Sequence, residues 1–527
     1  MYVAPNRWFE LCEAPFRGSQ GGGVPVLTRI GLLFCFAMSS CSADVAPGVA
    51  GRPKHVILVS LDTTRADKLS PWGGDPKVSP ALKALSLESV VFLDASTPAP
   101  TTLAAHTSMM TGRPPRSHGT PRNGFMVHPD NLLLAEVLGE AGLQTLAVVG
   151  SFALESLFGI DRGFARYDED FGMEYKPGLY DQNQRRAKEV TTRALELVDE
   201  GLEQDPDAGL FLFAHYFDPH APYDPPDWAL EELGLDPGAR SDLKDIASAV
   251  MDQQHAAAGV RLGQRWVFSN GLRAELLDGA TGTPSPLDEV LSRMYDAEIL
   301  SLDREVGRLI DGLAERGILE DSVLVVTGDH GETFWEHGDF WNHGLGLYQT
   351  TLHVPLMVRL PAGDHGGEEV LTPVSTLDIF PTICNLMGAP SPPEVEGVDL
   401  SPVWAGGELP VRVLVSEATQ PVGDVERDQA WRNDLKAKSV RQGPWKYVLT
   451  PYLVNREELY DLSADPGETL NLLLDPQVES LEKAAELRAA LEAWTARHVP
   501  LPSQFNSAQA DSVMRRLEAL GYAGEDD

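Results

Sequence analysis

The run HVILVS at His55–Ser60 decides the fold, because further runs of the same kind follow it along the chain. These runs are LQTLAVVG (Leu143–Gly150), LFLFAHYF (Leu210–Phe217), SVLVVTG (Ser322–Gly328) and VPLMVRL (Val354–Leu360). Each is mostly apolar without alternation, which is typical of strands that are covered on both faces. Amphipathic helical patterns occur between them, at Leu132–Ala141 and Glu298–Arg316. The alternation predicts an α/β fold with a large, mainly parallel or mixed sheet sandwiched by helices.

The composition divides the chain into three predicted segments. Residues 1–50 form a leader and linker, and residues 51–400 form the large α/β domain, with a Pro/Gly/Ala-rich insertion at about 224–290. A Pro- and Gly-rich stretch at Gly388–Trp404 marks a boundary. Beyond it, residues 401–527 are predicted to form a C-terminal α/β subdomain with a small antiparallel sheet and a helix.

The leader carries an export pattern. Arg29 precedes the apolar run IGLLFCFAM, which is too short to span a bilayer as a stable helix, and Ser39, Ser40 and Cys41 follow. The small residues before Cys41 resemble a bacterial lipoprotein cleavage site, so we expect an exported protein, either periplasmic or a cell-surface lipoprotein. Lipidated Cys41 would be its only membrane attachment; the alternative is a buried N-terminal helix. Cleavage would leave Cys384 as the free thiol, which excludes an intramolecular disulfide framework.

The chain is strongly acidic. Its 42 Lys and Arg residues oppose 78 Asp and Glu residues, which gives a formal net charge of −36. Such a surface repels nucleic acid and anionic membranes, so neither is an expected partner. An anionic substrate would therefore need a local concentration of metal, His or Arg.

Acidic and imidazole side chains follow three of the predicted core strands. Asp62 comes after the first strand, Asp218 with His220 after the third, and Asp329 with His330 after the fourth. Ligand sites in open α/β sheets lie at the carboxyl ends of strands, and this set of side chains suits a hard metal ion. A single Asp at such a place is more often a helix cap. The three strand ends together predict a metal site.

The stretch TPAPTTLAAHTSMMTG at Thr97–Gly112 has the pattern of a helix start with a hydroxyl in its first turn. An isolated Thr102 would be interpreted as a helix N-cap. The alternative hypothesis is a nucleophile, because helix N-terminal amides and an adjacent metal ion both lower the pKa of a hydroxyl. His106 lies four residues later on the same helix face, where it could orient Thr102 or contact the leaving group. Taken by itself, His106 would be interpreted as a packing histidine with its ring nitrogens hydrogen-bonded by the protein.

Taken in order, these features resemble the sulfatase family of the alkaline phosphatase superfamily. The order is a strand-end Asp, a helix-start nucleophile with Thr-Gly nine residues later, Pro-His-x-Pro, and then Asp-His-Gly-Glu. Later markers are VPLMVRLP, LDIFPTICNLMG and WKYVLTPYLVNREELYDLSADPGETLNL, so the resemblance runs from about His55 to the C-terminus. It implies an alkaline-phosphatase-like fold, a sulfatase-like catalytic domain at residues 51–400, and hydrolysis of a sulfate or phosphate ester.

The resemblance also implies a metal site. The metal ligands that it assigns are Asp62, Thr102, Asp329 and His330. The expected cofactor is one divalent metal ion (Ca, Mn, Zn or Mg), and an Asp-His pair suits Mn or Zn better than an all-oxygen calcium site. A second metal ion, bound by Asp218, His220 and His343, is the alternative found in two-metal phosphatases.

The catalytic residues that the resemblance implies are Thr102, His106, His220 and His343. Thr102 occupies the place of the cysteine that sulfatases convert to formylglycine, and His106 stands where the family usually has Arg. His220 corresponds to the histidine that contacts the transferred group. His343 matches a later position that is filled by Lys or His.

The chain departs from the family pattern at three places. It has no cysteine in a Cys-x-Pro-x-Arg context, so no formylglycine can form. Thr63 follows Asp62 where the family has a second Asp, which removes an expected calcium ligand. The family's Gly-Lys-Trp-His run falls at residues 150–153, where its Lys and His are missing. Threonine nucleophiles occur in relatives that move phosphoryl groups, so these departures leave the transferred group open.

The sequence therefore predicts a metal-dependent hydrolase of sulfuric or phosphoric esters with Thr102 as nucleophile. One alternative is a phosphodiesterase or phosphotransferase of the same superfamily, and another is a catalytically silent binding protein that keeps the fold. The expected substrate is a small-molecule, glycan or lipid-headgroup ester. Trp335, Trp341 and Tyr348 could line its pocket, although loop aromatics serve packing just as often.

Overall fold

The computed structural model describes residues 51–172, 184–221, 223–238, 277–278, 283–284, 286–334, 336–338, 343–419, 436–453, 455–498, 501–505 and 513. These residues belong to one compact unit. The leader with Cys41 and most of the predicted insertion lie outside the described residues, so export, lipidation and the course of the insertion stay predictions.

The secondary structure alternates strands with helices over most of the chain. The strands of the described residues are β1 (His55–Leu61), β2 (Val90–Ser96), β3 (Phe125–Met126), β4 (Gln144–Val148), β5 (Arg166–Asp168), β6 (Leu210–Tyr216), β7 (Leu277–Asp278), β8 (Thr283–Pro284), β9 (Ser322–Gly328), β10 (His353–Arg359), β11 (Glu369–Val370), β12 (Val374–Ser375), β13 (Leu414–Glu417), β14 (Lys438–Gln442), β15 (Trp445–Thr450), β16 (Arg456–Asp461) and β17 (Gln504–Phe505). The α-helices are α1 (Pro80–Ser86), α2 (Thr102–Thr111), α3 (Pro115–His118), α4 (Leu134–Glu140), α5 (Ala187–Gln204), α6 (Asp227–Glu232), α7 (Pro286–Glu315), α8 (Gln349–Leu352), α9 (Ile379–Leu386) and α10 (Val478–Arg497). Among these helices, none is both long and apolar enough to cross a membrane.

The large sheet has nine strands, in the order β11–β2–β10–β9–β1–β6–β4–β5, with β12 beside β2. Strand β1 pairs in parallel with β6 and β9, whereas β10 runs antiparallel to β9 and β2. The predicted α/β fold with a mainly parallel or mixed sheet is confirmed. In the register, Leu61 is opposite both Tyr216 and Gly328. The chain segments that leave β1, β6 and β9 therefore start side by side at one edge of the sheet.

The apolar strands form because both faces of the sheet are covered. In β1, Val56 and Leu58 belong to the hydrophobic cluster on one face, and Ile57, Val59 and Leu61 belong to the cluster on the other. Successive side chains of a strand point to opposite faces, so an uninterrupted apolar run fills both cores. Burying each of these side chains contributes roughly 1.5–3 kcal/mol, which holds the strand ends in place.

Helix α7 differs from its prediction. It begins at Pro286 rather than Glu298, so nearly its first half, residues 286–297, was not predicted to be helical, and residues 286–290 fall in the segment that we assigned to the insertion. Met294 and Tyr295 in this half are buried in the core, and the Tyr295 hydroxyl donates to the carbonyl of Thr63 (2.6 Å). The sequence before Pro286 is irregular, so the start of the helix could not be recognised from periodicity alone. The buried contacts of Met294 and Tyr295 show that this part of the helix belongs to the core.

The C-terminal residues form a separate four-stranded antiparallel sheet, β13–β14–β15–β16, as the sequence predicts. Helix α10 covers one face of it through Leu487 and Leu491, which pack with Val440 and Tyr447. An ion pair joins this sheet to β2 of the large sheet, because Arg441 Nη1 donates to Asp94 Oδ1 (2.6 Å). The boundary between the two predicted domains stays a prediction.

Candidate active site

The predicted metal ligands converge at the carboxyl edge of β1 and β9. Asp62, Asp329 and His330 are fully buried, and one ligand atom from each lies within 4.8 Å of the other two. His330 Nε2 is 3.8 Å from Asp62 Oδ1 and 3.4 Å from Asp329 Oδ2. These three are also the atoms of the cluster that have no hydrogen-bond partner among the described residues.

The remaining polar atoms of the cluster are engaged with the protein. Asp329 Oδ1 accepts from the backbone N–H groups of Thr63 (3.1 Å) and His330 (2.7 Å). The Nδ1 atom of His330 lies 2.9 Å from the carbonyl of Gly331, and because a carbonyl only accepts, Nδ1 carries the hydrogen. In the neutral ring, Nε2 therefore presents a lone pair to the two carboxylates.

This arrangement fits a divalent metal ion. Burial raises the pKa of both Asp62 and Asp329, since charged groups are costly to desolvate. Two carboxylate oxygens and one bare imidazole nitrogen that face each other without partners would be costly unless a cation lies between them. Among the described residues, no other group of three His, Cys, Asp or Glu side chains is as closely clustered.

Thr102 lies at the edge of this cluster. It is the first residue of α2, and Thr101 rather than Thr102 occupies the N-cap position, so the interpretation of Thr102 as an N-cap is wrong. The fully buried Thr102 hydroxyl is 3.5 Å from Asp62 Oδ2. The structure thus places the Thr102 hydroxyl beside the carboxylate of Asp62, which is one of the three candidate metal ligands. The hydroxyl also lies at the N-terminus of α2, which is the positive end of the helix dipole.

His106 is engaged by the protein on both ring nitrogens. Its Nδ1–H donates to the carbonyl of Thr102 (2.7 Å), and its Nε2 is 2.8 Å from the hydroxyl of Ser60, which must donate. The side chain is fully buried, and desolvation lowers the pKa of the imidazole to about 3. These contacts favour the packing-histidine alternative, in which His106 orients the first turn of α2.

His220 and His343 lie beside the metal ligands. The ring of His343 is 4.5 Å from that of His330 and 5.3 Å from that of His220, measured between centroids. His220 Nδ1–H donates to the carbonyl of Ala221 (2.6 Å), and His343 Nδ1 is 3.3 Å from Oε1 of Glu332. The neutral rings therefore carry hydrogen on Nδ1, and each would bind an anionic oxygen through Nε2 in the imidazolium form.

Asp218 is not part of the cluster, although the sequence placed it near. Its Oδ1 accepts from Arg186 Nη1 (3.0 Å), and its Oδ2 accepts from the backbone N–H of Ala187 (2.7 Å) at the start of α5. Asp218 thus caps the N-terminus of α5 from a distant part of the chain, with Arg186 in the N-cap position, and is not the N-cap of a helix that follows it. The second-metal alternative loses its only carboxylate as a consequence.

Two buried residues of the site were not predicted from the sequence. His215 interrupts the apolar run of β6, and its Nε2 is 3.3 Å from Asp62 Oδ2. Asn123 accepts from the backbone N–H of Leu103 through Oδ1 (2.7 Å), while its buried Nδ2 has no partner in the part of the chain that the structure describes. The polar residue inside an apolar strand was a signal for His215; the sequence contains no comparable signal for Asn123.

The aromatic residues predicted to line a substrate pocket are only partly described. Trp335 and Trp341 lie outside the described residues. The ring of Tyr348 stacks on His337 with centroids 3.6 Å apart, and its hydroxyl donates to Glu458 Oε1 (3.2 Å). Tyr348 therefore packs between His337, in the segment that follows His330, and Glu458 in β16 of the C-terminal sheet.

Comparison with known proteins agrees with this fold. Residues 54–389, more than half of the chain, match the family model described as "Sulfatase", and residues 336–496 match the model "N-sulphoglucosamine sulphohydrolase, C-terminal". The chain belongs to the sulfatase family, within the alkaline phosphatase superfamily.

Similar curated proteins include two sulfatases. Choline-sulfatase of Rhizobium meliloti (strain 1021) is 33% identical over 188 residues, which is 35% of this chain and 33% of the relative. Arylsulfatase K of Bos taurus is 28% identical over 188 residues, which is 35% of this chain and 34% of the relative. The matched stretch thus spans about a third of each of these proteins.

Solved structures share the fold over most of the chain. The phosphonate monoester hydrolase of Agrobacterium radiobacter superposes with a TM-score of 0.62 at 21% identity, covering 86% of this chain and 97% of that one. A protein solved in complex with its substrate D-glucosamine-2-N,6-O-disulfate has a TM-score of 0.62 at 18% identity, covering 85% and 98%. At these identities the likeness shows the fold.

Proposed function

We propose that the protein is a metal-dependent hydrolase of sulfuric or phosphoric esters in which Thr102 is the nucleophile. The observation that carries this proposal is the position of the Thr102 hydroxyl, in the first turn of α2 and 3.5 Å from Asp62 Oδ2. Membership of the sulfatase family supports ester hydrolysis. The likeness in fold to a phosphonate monoester hydrolase supports the inclusion of phosphorus esters.

Asp62, Asp329 and His330 would hold the metal ion, with the Thr102 hydroxyl beside them. A divalent ion bound there would supply Lewis-acid stabilisation of developing negative charge and would lower the pKa of a neighbouring hydroxyl. We favour Mn or Zn, because one of the three ligands is an imidazole and because Thr63 stands where a further carboxylate would serve calcium. A single ion is favoured over two, because Asp218 is engaged with Arg186.

In the proposed reaction, Thr102 Oγ attacks the phosphorus or sulfur atom in line with the leaving oxygen. The bond from Oγ forms as the bond to the leaving oxygen breaks, and the hydroxyl proton passes to Asp62 Oδ2, which is its hydrogen-bond acceptor. Water then attacks the esterified Thr102 and releases the inorganic anion. His106 orients the helix turn through the carbonyl of Thr102 rather than touching the ester.

Protonation of the leaving group falls to His220 or His343. Because each neutral ring carries its hydrogen on Nδ1, donation from Nε2 requires the imidazolium form. Burial opposes that form, since it lowers the pKa of His220 to about 4 and that of His343 well below its usual range, so the step depends on an anionic ester in the pocket, which raises both pKa values. The Nδ2–H of Asn123, which is buried beside the first turn of α2, is a suitable donor to a nonbridging oxygen.

The test is an ester panel with metal reconstitution. The chain would be stripped of metal, reloaded separately with Mn, Zn, Mg or Ca, and assayed with p-nitrophenyl sulfate, p-nitrophenyl phosphate and bis-p-nitrophenyl phosphate. T102A should abolish turnover, whereas T102S, which keeps the hydroxyl, should retain a measurable fraction. Activity that survives in T102A contradicts the nucleophile. Turnover of none of the three esters with any metal favours the catalytically silent binding protein.

We also propose that the substrate is a small-molecule, glycan or lipid-headgroup ester that the protein meets outside the cytoplasm. The pattern ending at Cys41 supports export and lipidation. Expression of the full chain and of C41A, followed by membrane fractionation, tests this. Equal amounts of both proteins in the membrane fraction would contradict attachment through Cys41.

A further inference from the structure

The histidines of the site differ in which ring nitrogen carries the hydrogen. In His106, His220 and His330, Nδ1 lies against a backbone carbonyl, and in His343 it lies against the carboxylate of Glu332. Oxygen atoms of these two kinds accept hydrogen bonds, so the neutral rings all carry hydrogen on Nδ1. Their Nε2 atoms consequently accept a proton or bind a cation.

His215 has the opposite arrangement. The backbone N–H of Gly150 donates to His215 Nδ1 (3.2 Å), and because a backbone amide only donates, this nitrogen carries the lone pair. The hydrogen of the neutral ring is therefore on Nε2. The side chain is fully buried, and Nε2 makes no hydrogen bond among the described residues, although Asp62 Oδ2 lies 3.3 Å from it.

The Gly150 contact depends on a close approach between β4 and β6. A Cβ atom at Gly150 would lie 2.9 Å from the carbonyl oxygen of His215 and 2.9 Å from the backbone nitrogen of Phe217. Both are backbone atoms, which cannot move aside at small cost. The glycine thus permits the approach that sets the tautomer of His215.

We propose that His215 is a positioning residue that donates its Nε2–H to Asp62 Oδ2 and thereby turns Asp62 Oδ1 towards Asp329 and His330. The Nε2–Oδ2 distance is 3.3 Å, and the Thr102 hydroxyl approaches the same oxygen. The other oxygen, Oδ1, has no partner among the described residues and lies 3.8 Å from His330 Nε2. One oxygen of Asp62 thus serves the nucleophile and the other serves the metal site.

The same proton excludes His215 as a metal ligand, because a ligating imidazole nitrogen must present a lone pair. The position of β6 explains how His215 reaches Asp62: Ser60 of β1 is its parallel-register partner, two residues before Asp62. The kinetic consequence rests on the proposed function, whereas the hydrogen bond and its effect on metal binding do not.

The test compares H215Q with H215N. The amide nitrogen of Gln can reach the position of Nε2 and keep the donor, whereas Asn reaches only as far as Nδ1. Isothermal titration of the metal-free protein with Mn²⁺ should show affinity weakened about 10–100-fold in H215N and largely restored in H215Q. With the best ester, kcat should follow the same order while KM stays within about threefold of wild type.

Each other outcome overturns the inference. Wild-type Mn²⁺ affinity in H215N means that His215 does not position Asp62, and equal loss in H215Q and H215N means that it acts as a ligand or by packing. Should H215N fail to fold, ¹⁵N-histidine two-bond correlation spectra of the wild-type protein decide the point, with H215Q identifying the signal. A His215 signal in the Nδ1–H form would refute the proposal. The Mn²⁺ titration contains no ester, so absence of turnover refutes the proposed function alone.

Discussion

The backbone N–H of Thr63 donates to Asp329 Oδ1 (3.1 Å) from a left-handed conformation, with φ at 49°. A β-branched residue is strained in this region, and the buried Thr63 hydroxyl has no partner among the described residues. The hydrogen bond engages Oδ1 of Asp329, so that Oδ2 faces His330 Nε2 at 3.4 Å and is available to the proposed metal ion. Thr63, which the resemblance aligns with a second Asp of the family, therefore takes part in the site through its backbone.

Thr63→Asp should change the metal preference. Asp tolerates a positive φ better than Thr, and its carboxylate would add an oxygen ligand beside Asp62, so we expect Ca²⁺ affinity to rise at least about tenfold relative to Mn²⁺. Thr63→Asn is the matched control, since Asn has nearly the same shape as Asp but carries no negative charge. Titration of the metal-free variants with each ion measures the effect. Equal Ca²⁺ affinity in the two variants would rule out ligation by the new carboxylate.

Ser60→Ala should reduce stability much more than activity. It removes the hydroxyl that donates to His106 Nε2, which leaves a buried acceptor unsatisfied and costs about 1–3 kcal/mol of unfolding free energy. Ser108→Ala is the matched control, because it removes a similar buried contact between Ser108 and His118. Urea unfolding and kcat/KM should show similar destabilisation and at most about threefold loss of activity in both. A tenfold loss of kcat in Ser60→Ala that does not occur in Ser108→Ala would instead indicate a direct catalytic role for His106.

Asp218→Asn should destabilise the protein without changing its metal content. The substitution weakens the ion pair with Arg186 and the cap of α5, at a cost of about 1–2 kcal/mol. The metal-to-protein ratio, measured by inductively coupled plasma mass spectrometry, should equal that of wild type. His330→Ala serves as the control that loses metal. A lower ratio in Asp218→Asn would restore the second-metal alternative.

Asp303 should produce a pH-dependent change in stability. It accepts from the backbone N–H groups of Ala81 and Leu82 (2.8 Å each), and burial raises the pKa of its carboxyl from 3.8 to about 6. A raised folded-state pKa means that its contribution to stability is fully present below about pH 4 and is lost as the pH rises through about 6. Relative to Asp303→Asn, the wild-type free energy of unfolding should therefore fall by on the order of 1–3 kcal/mol between pH 4 and pH 7. Urea unfolding at the two pH values measures this difference, and a constant difference would contradict the raised pKa.

Much of the fold could be predicted because the strand signal is local. The apolar runs at β1, β6 and β9 lie close to their predicted bounds, since strands buried on both faces need uninterrupted apolar side chains. Parallel strands share an edge, so Asp62, Asp329 and His330 could be expected to meet. The first half of α7 escaped prediction because its apolar residues contact distant elements, and nothing local separates them from an irregular insertion.

The roles of individual polar atoms depend on contacts between distant segments. Whether Asp218 ligates a metal or caps α5 is decided by Arg186, which lies 32 residues away in the chain. His215 and Asn123 escaped notice because their partners, Asp62 and Leu103, belong to other elements. Neither residue type by itself distinguishes a packing role from a role in the site.

The sequence by itself determined the α/β architecture, the family and the residue types at the carboxyl edge of the sheet, because these follow from periodicity, order and spacing along the chain. Only the tertiary structure decided the side-chain chemistry. It sets the hydrogen of His215 on Nε2 and that of His330 on Nδ1, through Gly150 on one side and Gly331 on the other. The reason is that a tautomer depends on which backbone group lies against the ring. For His215 that group is the N–H of Gly150, which reaches the ring only after β4 and β6 have paired, whereas for His330 it is the carbonyl of the next residue, which is set by the folded conformation of the loop after β9.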